Sequence, residues 1–125
     1  MKNFLSKLFS KEKKTYPICS AVVAAAGSSS RMGGANKLLL PLEGIPVLAR
    51  TLRALDDAQL ITEIVIAARE EDLLAIGDLC KTYGISKPVK IVRGGDTRAA
   101  SVLAAALECR EDDAFIAVHD GATPL

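Results

Sequence analysis

From residue 18 onward, short apolar runs alternate with segments of helical period. CSAVVAAA over residues 19–26 is a short apolar run halted by Gly27, the pattern of a strand buried on both faces. Residues 46–58, PVLARTLRALDDA, place apolar side chains at 47, 48, 52, 55 and 58, one face of a helix, behind a proline suited to a first helical turn. The β-branched run TEIVIAA over 62–68 predicts a second strand. An acidic helix start follows over 69–72, with an apolar face at Leu73, Leu74, Ile76, Leu79 and Cys80 and a stop at Gly84. Residues 89–92 read as a third strand, Gly94-Gly95 as a tight turn, 97–109 as an Ala-rich helix and 114–118 as a fourth strand. The predicted order is β-α-β-α-β-α-β.

Strands alternating with helices at this spacing imply a three-layer α/β fold, a mostly parallel Rossmann-like sheet covered on both faces. Right-handed crossovers leave few topologies, and the strand order 3-2-1-4 is expected. In that order the winding reverses between strands 1 and 4, so the carboxyl ends of those strands flank the crevice in which such sheets bind ligands.

The 125 residues suit one domain, residues 18–125, preceded by a tail over 1–17. The tail is basic: residues 1–14 hold five Lys against one Glu, and the remaining 111 residues carry 11 cations and 14 anions. With a net charge of +1 there is no global basic field of the kind that gathers nucleic acid. Phe4, Leu5, Leu8 and Phe9 share one helical face among lysines, which suits transient binding to a membrane surface or partner. A short solvated tail is the commoner outcome for such termini. Ser6 and Lys7 interrupt the apolar residues, so no secretory signal is read there, and no apolar run reaches membrane-spanning length. Cys19, Cys80 and Cys109 are odd in number and lack metal-ligand spacing, which fits a reducing cytoplasm. Aromatic residues make only 4% of the chain, which disfavours a base-stacking surface.

The candidate chemistry lies after strands 1, 3 and 4. Strand 1 runs into Gly27, Ser28, Ser29, Ser30, Arg31, Met32, Gly33, Gly34, Ala35, Asn36 and Lys37, a loop of small residues with two cations six positions apart. Backbone amides there can approach phosphate oxygens closely, while Arg31 offers a bidentate fork and Lys37 a point charge. A flexible solvated connector would have the same composition; the position after strand 1 favours the phosphate reading. There is no G-x-G-x-x-G, and Leu38 follows Lys37 where a Walker loop needs Ser or Thr. Strand 4 ends in His119 and Asp120, and a carboxylate at that tip could hold Mg²⁺ against phosphate oxygens, or simply cap a turn. Strand alternation separates His119 from Asp120, which favours a packed structural histidine over a base. After strand 3, Thr97 or Asp96 serves as helix N-cap. The Gly pair, Asp96 and Ser101 there also make donors and acceptors suited to the edge of a base.

Together, AAAGSSSRM with Lys37, GGDTRAASV and HDGATP resemble the cytidylyltransferases that make the cytidine diphosphate derivative of methylerythritol 4-phosphate, over residues 20–125. The resemblance implies a nucleotidyltransferase-type fold and a metal-dependent attack by the phosphate of a polyol phosphate on the α-phosphorus of CTP, releasing pyrophosphate. It implies that Arg31 and Lys37 hold the triphosphate and stabilise the transition state, and that Gly27, Ser28, Ser29 and Ser30 supply backbone contacts. Ala25, Ala26, Gly95, Asp96 and Ser101 would surround cytosine, with Asp120 at the magnesium. Homodimers are expected of full-length members.

The chain departs from the family pattern at Asn36, where Pro is usual before the lysine, and at Thr123, where Arg is usual. The second change removes a cation beside the expected acceptor site. Complete members are longer, so a chain truncated after the nucleotide-binding part is expected. A ribitol 5-phosphate cytidylyltransferase and a noncatalytic nucleotide-binding fragment are the alternative readings.

Overall fold

A computed structural model describes residues 19–26, 31–32, 35–109 and 115–120, and only the backbone at 31–32, 35–37, 42, 115 and 120. Four strands, β1 (Cys19–Ala25), β6 (Ile61–Ala68), β7 (Val89–Arg93) and β8 (Phe115–Asp120), form a sheet ordered β7-β6-β1-β8. All three pairings are parallel. Taken as the four predicted strands, the order is 3-2-1-4. Three α-helices, α1 (Val47–Asp57), α2 (Leu73–Thr82) and α3 (Arg98–Ala106), make the crossovers.

Strand alternation sorts the apolar residues into two cores. Ala21, Val23, Ala25, Ile64, Ile66 and Ala68 pack with Leu48, Leu52 and Leu55 of α1 and with Ile76 and Leu79 of α2. On the opposite face Val22, Val65 and Ala67 pack with Ala105 of α3, joined by Val92 and Val102. Helices therefore cover both faces, giving three layers. Because β1 and β6 are the interior strands, their sequences are apolar on both faces rather than alternating. The strand and helix termini are shifted by a few residues from expectation: α3 stops at Ala106, β7 includes Arg93 and β8 continues through Asp120.

Two small antiparallel ladders, β2 (Arg31–Met32) with β3 (Ala35–Asn36) and β4 (Pro41–Leu42) with β5 (Ile45–Pro46), lie between β1 and α1. Sequence patterning did not anticipate them, since two-residue strands carry no measurable period. Short 3₁₀ turns occupy Lys37–Leu39 and Glu70–Asp72, so the acidic segment is a turn preceding α2 rather than its first α-helical residues. The β4–β5 connection is a two-residue turn with φ of 57° at Glu43 and 85° at Gly44. Both central residues at positive φ define the type I′ hairpin turn.

The strand ends set up the site. Ala25 is in register with Ala68, Ala68 with Arg93, and Ala24 with Asp120, so four carboxyl-terminal strand ends lie at one edge of the sheet. A buried tie, Ser20 Oγ donating to Glu63 Oε2 at 2.6 Å, lies near the opposite, amino-terminal ends of β1 and β6.

Candidate active site

The turn after β7 is bound into the sheet by its backbone. Gly94 N donates to the Ala68 carbonyl at 2.8 Å, carrying the β6–β7 pairing one residue past the strand. The chain then swings into α3, whose N-cap is Thr97; its Oγ1 accepts from the Ala100 amide at 3.0 Å. Ser101, one turn into α3 and 3% exposed, accepts a hydrogen bond from Gly95 N at 3.0 Å and donates to Gly95 O at 3.3 Å. Gly95 is thus fastened to the helix through one hydroxyl.

This turn approaches the end of β1 closely enough to require glycine. A Cβ added to Gly94 would stand 2.6 Å from the Ala26 Cβ and 2.7 Å from Ser101 Oγ, and one on Gly95 would stand 2.5 Å from the Ala100 Cβ. All three distances fall inside hard-sphere contact, so the Gly pair is dictated by packing as well as by turn chemistry.

At this edge is an open cleft of about 240 Å³. Ala26 lines it from the end of β1, Arg69, Glu70 and Glu71 from the end of β6, and Arg93, Gly94, Gly95 and Asp96 from the end of β7. Its wall is mostly polar and includes cations and carboxylates, with Arg93 Nη1 and Glu70 Oε1 an exposed pair at 3.6 Å. An exposed pair of this kind contributes little to stability, and both partners remain available to a ligand. Mixed charge, backbone groups and small side chains suit a ligand presenting amino, carbonyl and hydroxyl groups.

Of the residues expected around cytosine, the structure brings together Ala26, Gly95 and Asp96 at the cleft, with Ser101 behind Gly95. Ala25 closes β1, but its methyl is buried in the α1 and α2 core, which leaves its backbone as the part available to a ligand. Gly27, Ser28, Ser29 and Ser30 lie outside the described residues. Arg31 is in β2 and Lys37 opens the 3₁₀ turn, and the side chains of both lie outside the described residues. Asp120 is the last residue of β8, in register with Ala24, and its side chain likewise lies outside them. The cleft lies over β7, β6 and β1; the crevice expected between β1 and β8 falls on segments following those strands, residues 27–30 and 121–125, that lie outside the described residues.

Sequence reasoning passed over Arg69, whose Nε donates to the Ala26 carbonyl at 3.1 Å across 43 residues of chain. A cation immediately after strand 2 was the signal, meaningful once the strand ends are known to converge. His119 shares register with Val23 and is half-buried, its Nδ1 without a hydrogen-bond partner among the described residues. Cys19, Cys80 and Cys109 are free thiols, and burial raises the pKa of Cys80, which disfavours a thiolate nucleophile there. Among the described residues no three His, Cys, Asp or Glu side chains group as metal ligands. No helix among them is long and apolar enough to cross a membrane.

Comparison with known proteins gives this geometry a family. Residues 19–125 match the profile of IspD, 2-C-methyl-D-erythritol 4-phosphate cytidylyltransferase. The chain belongs to that family. It is 42% identical over 107 residues to the 2-C-methyl-D-erythritol 4-phosphate cytidylyltransferase of Halalkalibacterium halodurans, covering 85% of this chain and 46% of that one. The relative from Dehalococcoides mccartyi is 40% identical over 105 residues, covering 84% and 46%. Among solved structures, 4-diphosphocytidyl-2C-methyl-D-erythritol synthase of Anaerococcus prevotii superposes with a TM-score of 0.74 at 27% identity, over 87% of this chain and 45% of that one. The 2-C-methyl-D-erythritol 4-phosphate cytidylyltransferase of Francisella tularensis gives 0.63 at 27% identity, over 86% and 45%. The cytidylyltransferase fold is therefore the one this α/β sheet adopts, and the chain spans about half the length of the curated relatives it matches.

Proposed function

We propose that the protein takes part in cytidylyl transfer from CTP to methylerythritol 4-phosphate, a step of isoprenoid precursor synthesis, as the nucleotide-binding part of a cytidylyltransferase. The observation that carries this reading is the convergence of Ala26, Gly94, Gly95 and Ser101 at one sheet edge, within a chain whose relatives are cytidylyltransferases. In the reaction an acceptor phosphate oxygen bonds to the α-phosphorus of CTP, and the bond to the bridging oxygen breaks to release pyrophosphate. The protein's part is to hold two anions in line and stabilise the charge of the pentavalent phosphorus.

The cleft beside Gly95 and Asp96 takes the base and sugar, its backbone groups and carboxylate serving the amino and carbonyl edge of cytosine. Ala26 leads into the loop of Gly27, Ser28, Ser29 and Ser30, whose amides receive the triphosphate together with Arg31 and Lys37. Mg²⁺ on nucleotides is commonly held by one or two carboxylates and the substrate phosphates, so Asp120 at a strand end beside β1 is a fitting protein contribution. When bound, the ion supplies charge neutralisation at the phosphates. The free cysteines fit a cytoplasmic site of action, and full-length members are expected to pair as homodimers.

Titration calorimetry with CTP, UTP and ATP, each with and without Mg²⁺, tests the nucleotide assignment. Tighter binding of CTP, strengthened by Mg²⁺, is expected; equal affinity for the three nucleotides overturns it. Pyrophosphate release measured with methylerythritol 4-phosphate and with ribitol 5-phosphate then identifies the acceptor.

A further inference from the structure

Arg69 follows β6 directly and lines the cleft together with Ala26, Gly94, Gly95 and Asp96. Its Nε–H donates to the Ala26 carbonyl at 3.1 Å, which holds the guanidinium against the end of β1. That bond engages one of five N–H donors. The terminal nitrogens, Nη1 and Nη2, have no hydrogen-bond or ion-pair partner among the described residues, although three carboxylates line the same cleft. Glu70 pairs with Arg93 instead. Arg69 is thus a cation oriented through Nε and unpaired at its terminal fork.

The lining decides what that fork can take. Two guanidiniums, Arg69 and Arg93, stand among the carboxylates of Glu70, Glu71 and Asp96, so the wall carries more negative than positive charge. A polyanion is disfavoured there, and a neutral group bearing acceptor atoms is favoured. Gly94 and Gly95, which packing keeps free of any Cβ, add no side chain to the wall and leave room for a planar ring beside the backbone. The two terminal N–H groups of a guanidinium lie in one plane and point the same way, a match for two adjacent acceptors. Cytosine offers such a pair, N3 and O2. Uracil does not, because its N3 carries a hydrogen and would meet the fork donor to donor.

We propose that Arg69 is a specificity residue of the nucleotide site: its terminal N–H pair donates to N3 and O2 of cytosine and turns uracil away at N3. This rests on the assignment of the cleft to the base and extends it to a residue that none of the three motifs contains. The Nε bond to Ala26 gives the fork its direction, and every group in the argument belongs to the cleft wall.

Titration calorimetry on the whole chain, with Mg²⁺ present, compares CTP, UTP and the triphosphate of 3-deazacytidine, in which a C–H replaces N3. The proteins are the parent, Arg69→Ala and Arg69→Lys. The parent should bind CTP at least about tenfold more tightly than either analogue, the scale of one bidentate base contact. Arg69→Ala should cut the preference for CTP over UTP about tenfold and abolish the preference over the 3-deaza compound. A mere loosening of the β1 end would weaken the three ligands alike and leave both ratios standing. Arg69→Lys keeps the charge and carries the test where the alanine variant does not fold; it should show the same narrowed ratios, since an ammonium has no planar fork. Parental ratios in either folded variant overturn the proposal and leave the cytidylyl reading intact, as does a parent that prefers CTP to UTP yet binds the 3-deaza compound equally well. A parent that binds CTP and UTP equally overturns the cytidylyl reading and the proposal with it.

Discussion

The Ser101 hydroxyl both accepts from the Gly95 amide at 3.0 Å and donates to the Gly95 carbonyl at 3.3 Å, so one buried side chain fixes the peptide groups on either side of a glycine. Gly95 has no Cβ and little intrinsic conformational preference, and without this tether its backbone groups would have no fixed direction. The binding reading depends on those groups having one.

Ser101→Ala removes both hydrogen bonds and leaves a small void. Stability should fall by about 1–2 kcal/mol, the scale of the lost hydrogen bonds and the small void at the buried position, with the exposed Gly95 groups regaining water. CTP affinity should fall more steeply than stability suggests, by about tenfold, as the base-facing turn loosens. Calorimetry alongside chemical denaturation measures the two effects separately. Unaltered CTP affinity would remove the Gly95 turn from the nucleotide site.

Gly94→Ala places a methyl 2.6 Å from the Ala26 Cβ and 2.7 Å from Ser101 Oγ. Neither neighbour is the end of a flexible chain, so the β1 terminus and the turn must separate. A loss of about 1–3 kcal/mol is expected from overpacking, with nucleotide binding abolished. Melting temperature and CTP titration report it, and a variant that binds normally would show that the close approach is not needed.

Asp56, at the end of α1, ties that helix to the segment leading into β7. Its Oδ1 accepts from Ser86 N at 3.0 Å and from Lys87 N at 2.9 Å. Burial pushes the carboxyl upward, but the two backbone hydrogen bonds, with the Ser86 hydroxyl and the Lys87 charge, outweigh it and lower the pKa overall. A lowered folded pKa means that the stabilisation is complete above the ordinary carboxylate range and is lost as pH falls through it toward the folded value. Asp56→Asn should therefore be less stable than the parent at neutral pH and should lose less stability between about pH 5 and pH 2. Parallel denaturation curves for parent and variant across that window would contradict this.

Glu43 adopts φ of 57° in a type I′ turn, where a side chain with a Cβ costs about 1 kcal/mol and Asn is favoured before Gly. Its ion pair with Arg50 spans 4.0 Å, with Glu43 86% exposed, and is worth little. Glu43→Asn should raise stability by about 0.5–1 kcal/mol, seen as a higher melting temperature. A lower melting temperature would mean that the Arg50 pair outweighs the turn.

Much of the fold was legible along the chain because its signals are local. Val22, Val65 and their neighbours form apolar runs without alternation, Leu48, Leu52 and Leu55 recur at the helical period, and Thr97 stands where an N-cap is needed. From these, the handedness of crossovers left few topologies, and the order expected among them, 3-2-1-4, is the one the sheet adopts. The loops after β1 and β7 were visible as candidates because Gly and Ser are unusual directly after buried strands. What the chain could not disclose was proximity. Ala26 meets Arg69 and Gly94, 43 and 68 residues away in sequence, only because parallel pairing aligns Ala25, Ala68 and Arg93 at one edge. That alignment comes from the packing of two helical layers against one sheet, and it brings Arg69 within hydrogen-bond distance of the Ala26 carbonyl and makes the glycine turn a closely packed wall. Local propensity and period determined which elements exist; which residues face one another across the cleft was decided by tertiary packing, since a contact between distant residues depends on the register of whole strands.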